Sequence, residues 1–235
     1  YLSTLSTVFP PARDHFLVGL AAQITWGTPT LVTINLALIL ELGSATKLLM
    51  LGQLAALLPS PKNDLIRLHI DAVGIIDFDQ RTASLDARLY DSRLARQFAI
   101  SGDMAMRMRW GQQPSFALAV GGFHPAFTPP AGFPALERAT ISLANSENLQ
   151  IRCEAYLAIT SNTLQFGSRT ELFAKVGSAS LHGEIGYDVL IQFDPFHFIA
   201  DFRASVQIKY KGHSLLRVAL QGELSGPRPL RVRGK

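Results

Sequence analysis

Apolar and polar residues alternate along most of this chain. Between Thr30 and Glu41 the even positions carry Val32, Ile34, Leu36, Leu38 and Leu40, against Thr33 and Asn35 on the odd ones. The same period runs through Leu65–Asp79 and Arg96–Trp110, and it is cleanest after Leu149. Leu181, Ile185, Tyr187, Val189 and Ile191 alternate there with His182, Glu184, Asp188 and Gln192. A period of two puts each set on one face of a strand. Short breakers separate the runs: Ser161-Asn162, Gly177-Ser178, Asp194-Pro195 and Lys211-Gly212. Connections this short join antiparallel neighbours, since a parallel crossover needs a dozen residues or more. The pattern predicts an all-β chain, an antiparallel up-and-down meander of long amphipathic strands, with strand content above about 45%. A turn at Asp194-Pro195 pairs His197 with Gln192 and His182 with Gln207. A three-residue loop, Lys211-Gly212-His213, pairs Ile208 with Leu216 and Val206 with Val218.

Two stretches depart from the alternation. Ala45 to Leu58 is rich in Leu and Ala on both faces and has helical propensity. Leu48, Met50, Leu54 and Leu58 still fit period two, so it reads as a strand buried on both sides. Phe123 to Pro134 holds four prolines and three phenylalanines, which excludes regular structure and predicts an ordered aromatic loop. It divides the chain into an N-terminal sheet half (1–122), a Pro/Phe-rich loop (123–136) and a C-terminal meander half (137–235). The first residue is Tyr and the last is Lys235, which suggests a piece of a longer chain.

An amphipathic meander has one face that water disfavours. Each long strand puts about six large apolar side chains there, at roughly 1.5–3 kcal/mol per side chain buried. The alternating apolar sets are therefore expected to face inward. With no long helical pattern to form a cover, the strands should make a sandwich, a barrel or a groove. The cover is then a flanking β segment of the same protein, a neighbouring chain or a lipid. A transmembrane barrel needs strands of only about 9–11 residues, and paired aromatic girdles are not evident. The methionine stripe Met104, Met106 and Met108 reads first as packing, and its adaptable thioethers also suit a variable apolar ligand. Phe198, Phe202, Val206, Val218 and Leu220 form the other candidate apolar ligand surface.

Several longer runs carry a resemblance. GGFHPAFTPPAGFPAL (121–136), LAITSNTLQFGSRTELFA (157–174), YDVLIQFDPFHFIADF (187–202), LSGPRPLRVRG (224–234) and LYDSRLA (89–95) resemble an uncharacterised bacterial family. That family is a domain of unknown function within very long β-rich proteins. The resemblance spans most of the chain and implies a β-rich module of a larger bacterial protein. It brings no catalytic residues.

Composition narrows the function. Hydrophobic residues make up 48% of the 235 positions and charged ones only 17%, which excludes a disordered chain. The single cysteine, Cys153, rules out an intrachain disulfide and a cysteine-built zinc site. The net charge of +4 demands no anionic partner. No apolar stretch is long enough for a helical membrane span. The chain carries no HExxH, Walker A, GxGxxG, GxSxG or EF-hand pattern. Its six histidines, at 15, 69, 124, 182, 197 and 213, are scattered, and those at 69, 182 and 197 fall on polar strand faces. Asp77 and Asp79 are close enough to bind a cation or to mark a strand end. Arg107, Arg109, Arg228, Arg231 and Arg233 are the densest basic positions, but no aromatics interleave with them as a nucleic-acid platform would require. The expectation is a non-enzymatic structural or assembly module, with no cofactor, metal site or nucleic-acid partner. A carrier of lipid or another apolar ligand is the alternative, an enzyme such as a hydrolase the third, and a secreted toxin or cargo component a further one.

Overall fold

The structure, a computed structural model, describes residues 16–43, 46–227 and 229–234. His15, Ala45 and Arg228 lie outside them. The alternating runs form strands β1 (Phe16–Trp26), β2 (Val32–Leu42), β3 (Lys47–Ser60), β4 (Asn63–Asp77), β5 (Thr82–Leu94), β6 (Phe98–Arg109) and β7 (Ser115–Val120). After the Pro/Phe-rich loop come β8 (Ala139–Asn145), β9 (Leu149–Thr160), β10 (Thr163–Val176), β11 (Ala179–Gln192), β12 (His197–Tyr210), β13 (His213–Gly226) and β14 (Arg231–Gly234). Strands occupy 75% of the described residues, beyond the share that the alternation predicted. All are antiparallel and belong to one sheet, with β1 and β14 as its edges among the described residues. Among the described residues the sheet neither doubles into two layers nor closes on itself. The Leu- and Ala-rich stretch is a strand, β3, but it is not buried on both sides: Leu49 and Ala56 are its only buried residues, because no layer among the described residues packs over either face there.

One strand position is filled by two segments. β6 pairs with β7 through Met104–Arg109 and with β8 through Ala99–Ser101. β9 pairs with the same two segments on its other side. β7 and β8 thus form one long strand, interrupted where residues 121–138 leave the sheet and return. Asp103 holds both ends of the excursion. Its carbonyl accepts Gly121 N–H at 2.8 Å, and its own N–H donates to Glu137 O at 3.2 Å. Gly121 sits at φ +69°, and a Cβ there would lie 2.5 Å from Ala155 O, so the exit needs glycine. The strands before and after the Pro/Phe-rich loop are hydrogen-bonded into a single sheet.

The register of the C-terminal hairpins agrees with the pattern. Gln192 pairs with His197, His182 with Gln207, Ile208 with Leu216 and Val206 with Val218. The last hairpin reaches that register differently from expectation. Its turn is the two residues Lys211-Gly212, both at positive φ, and the odd residue is Leu215, bulged out opposite Ile208/Lys209.

The orientation of the faces is the main correction. The sets expected inward lie on the open face: Val218 is 56% and Leu220 55% exposed, with Leu157, Ile185 and Val206 also exposed. On the opposite, polar face Tyr156, Gln165 and Asp188 are buried. The reason lies in the excursion 121–138, which folds over the polar face as a lid. Phe123 packs on Ala119 and Ala158, and Phe127 and Phe133 flank it with ring centroids at 5.3 and 4.8 Å. Small side chains at Ala105, Ala117, Ala119 and Ala158, all buried, let the lid approach the strands closely. The accessible surface is 15005 Å². A compact monomer of 25.7 kDa exposes roughly 10,400 Å².

Candidate functional site

The polar face carries one row of side chains running across the strands. Following the register from the β1 edge, Gln23 stands beside Asn35, Asn35 beside Gln53, Gln53 beside Asp71, Asp71 beside Arg88, and Arg88 beside Asp103. The row continues past Gly121 through Tyr156, Gly167, Asp188, Asp201, Glu223 and Arg233 to β14. Hydrogen bonds link its members: Gln23 Nε2 to Asn35 Oδ1 at 2.8 Å, Gln53 Nε2 to Asp71 Oδ1 at 3.2 Å, and Arg88 Nε to Asp103 Oδ1 at 2.9 Å.

At the lid the row becomes a buried network. Tyr156 donates its hydroxyl to Asp188 Oδ1 at 2.9 Å, reaching past Gly167. A Cβ on Gly167 would stand 2.5 Å from the Tyr156 ring and 2.7 Å from Tyr187 O, so this bond exists because position 167 has no side chain. Burial first, then the bond to Asp188, pushes the Tyr156 phenol far above its ordinary value. Arg203 pairs with the other Asp188 oxygen and stands 3.5 Å from Glu184. Arg138 lies over the Tyr156 ring at 4.0 Å and donates to the carbonyls of Gly121 and Phe123, pinning the lid root.

His124 is the lid's contribution and is 2% exposed. Its N–H donates to Gln165 Oε1 at 2.9 Å, and Gln165, itself fully buried, donates to Thr163 Oγ1. Its Nδ1 accepts Ala126 N–H at 3.1 Å. Its Nε2 has no hydrogen-bond partner and lies 3.9 Å from Asp201 Oδ2. Burial holds this imidazole below its ordinary pKa and raises the Asp201 carboxyl above its own. Two hollows flank the Asp188–Arg203 pair. One, of about 380 Å³, is bounded by His124, Asp201, Glu223 and Arg233, and the other, of about 360 Å³, by Arg138, Tyr156, Arg169 and Glu184.

The residues picked from the sequence as an apolar ligand surface lie on the other face. Val206 and Val218 are register partners, and Leu220 and Phe202 adjoin them on β13 and β12. Met104, Met106 and Met108 share this face on β6, five strand positions from β12. At about 4.8 Å per strand that is roughly 24 Å, so the two groups form one surface and no common pocket. The other candidates have local partners. Asp77 Oδ1 accepts Gln80 N–H and closes its own turn, while Asp79 Oδ2 accepts the N–H of Thr46 just before β3 and ties that turn to the neighbouring connection. Arg107 makes two bonds to Asp86. His69 stacks on Tyr90. Among the described residues, no group of three or more His, Cys, Asp or Glu side chains is placed to hold a metal ion. No described helix is long and apolar enough to cross a membrane.

His124, Tyr156, Gln165, Asp188 and Arg203 were not singled out by sequence. Asp188 and Arg203 look like ordinary members of polar strand faces, and His124 like one more scattered histidine. The usable signal was the setting of His124 between Phe123 and Phe127 in a segment too rich in proline to be a strand. Residues 1–235 match the profile of a family described as "Family of unknown function (DUF6603)". No curated protein and no solved structure matches the chain.

Proposed function

The chain belongs to this family of unknown function, DUF6603, and from that premise we propose that it is a non-enzymatic structural module that assembles through its apolar sheet face. The observation that carries the reading is the distribution of cover. The lid covers the middle of the polar face, while among the described residues no layer covers the apolar face. Patches on soluble monomers seldom exceed a few hundred Å². This face runs from Leu20 through Leu38 and Met50, past Gly74 on β4, to Leu85, Met106, Leu118, Ile159, Leu164, Ile191 and Phe198. A second β layer about 10 Å away is the ordinary cover for such a surface. Flanking β segments of the same protein or a neighbouring chain supply it.

One observation favours a second reading, a carrier of lipid or another apolar ligand. The polar row crosses a hollow of about 610 Å³ over β1–β4, whose floor is otherwise Ala21, Ala37, Leu51 and Val73. Native mass spectrometry of the purified chain, with organic extraction, separates the two. Assembly predicts lipid-free oligomers that Val218→Asp converts to monomer, with little change in monomer stability because Val218 is largely exposed. A stoichiometric lipid mass favours the carrier. A lipid-free monomer at about 100 µM, well above a micromolar Kd, overturns the carrier reading and assembly through a second copy of this chain.

A further inference from the structure

We propose that the hollow between the lid and strands β11–β14 binds a polyhydroxylated ligand of monosaccharide size, one of whose hydroxyls bridges His124 Nε2 and Asp201 Oδ2. The inference is independent of the assembly reading, because it concerns the opposite face. It rests on donor and acceptor bookkeeping. His124 Nδ1 accepts the Ala126 N–H, so the neutral ring carries its proton on Nε2. That N–H is buried without an acceptor, and an unmet buried donor is costly. Asp201 Oδ2, at 3.9 Å, is too distant for a direct bond. The gap is bridged by a group that accepts from nitrogen and donates to a carboxylate.

A hydroxyl does both. An ammonium group only donates, so it would leave His124 unmet. An anion would meet Asp188, Asp201 and Glu223 on three adjacent strands. A metal ion would need the Nε2 lone pair, which requires a proton on Nδ1 facing the Ala126 N–H. The remaining walls suit further hydroxyls, with Glu223 as acceptor and Arg233 as donor 3.9 Å from it. Gly222 and Gly234 leave the floor open, since a Cβ on either would meet nothing closer than 3.8 Å. The volume of about 380 Å³ falls in the range of small-ligand sites.

A lone water makes the same two bonds, and the experiment separates it from a ligand. The His124 Nε2 resonance of the full chain is followed in ¹⁵N spectra while glucose, galactose, N-acetylglucosamine and myo-inositol are added separately to about 50 mM, a range that detects millimolar Kd values. The expected result is a saturable shift with at least one of them. Asp201→Asn removes a charge-assisted acceptor from a half-exposed position and should weaken that binding about tenfold or more. Arg217→Ala, at a separate hollow on the same face, should leave it unchanged and controls for general sugar effects. No saturable shift with any of the four would mean that only water occupies the gap and would overturn the proposal. Equal affinity in the Asp201→Asn variant would overturn it as well.

Discussion

His124 shows how one residue gains its character from surroundings far away in sequence. Its lid position comes from Phe123 and Phe127, its backbone anchor from Gln165 on β10, and its facing carboxylate from Asp201 on β12. Burial favours the neutral ring, so the folded chain binds this proton less readily than the unfolded chain does. Stability then rises with pH wherever the unfolded state holds more protons. The histidine's contribution is complete above the unfolded value of about 6.5 and is lost as pH falls through the lower folded value. Asp201 acts in the opposite sense and in a lower window. Burial raises its folded value, so its contribution is present below about pH 3.9 and is lost as pH climbs through the folded value. Urea midpoints should therefore fall between about pH 7.5 and 5.5. His124→Asn, whose carbonyl can replace Nδ1 as acceptor for Ala126, should flatten that slope. An unchanged slope in the variant would assign the dependence to another group.

At the scale of elements, the split strand and its lid hold the hydrophobic core cluster found among the described residues. Phe123 is its centre, buried against Ala119 and Ala158 and flanked by Phe127 and Phe133. Phe123→Ala should cost about 3–5 kcal/mol in chemical denaturation. Val176→Ala, at an open hairpin end where Val176 is 83% exposed, should stay within about 0.5 kcal/mol. Similar losses for the two would mean that the lid adds nothing to the fold. Much of this element was readable in advance. Four prolines excluded a strand, and three phenylalanines required burial. Where the lid packs was not readable, because only the assembled sheet shows which face carries the alanine floor. Ala105, Ala117, Ala119 and Ala158 come from three strands, and in isolation each is merely a small residue at a polar-face position.

At the scale of the whole molecule, the two edges differ. β1, FLVGLAAQITW, carries no charge and is exposed throughout. β14 is four residues long and presents Arg231 and Arg233. Short, charged edges resist pairing with another sheet, and long uncharged ones invite it. Any growth of the sheet edge to edge is therefore expected at β1. Thr25→Lys puts a charge on that edge without touching the apolar face. It should slow concentration-dependent light scattering while leaving oligomers built through Val218 intact. If scattering is unaffected while Val218→Asp abolishes it, association runs through the face alone.

The sequence by itself determined the strands, their antiparallel order and much of their register, because a period of two and short turns are local properties. It also determined that the chain has one apolar and one polar face. The tertiary structure decided which face is covered. Burial depends on what lies above a strand, and the lid that covers the middle of the polar face is a separate segment whose docking no single strand encodes. The same holds for the buried network. Tyr156 reaches Asp188 only because Gly167 lies between them in the register, and His124 faces Asp201 only because the lid closes over both. Such juxtapositions join positions more than thirty residues apart, beyond the reach of any periodic pattern along one strand.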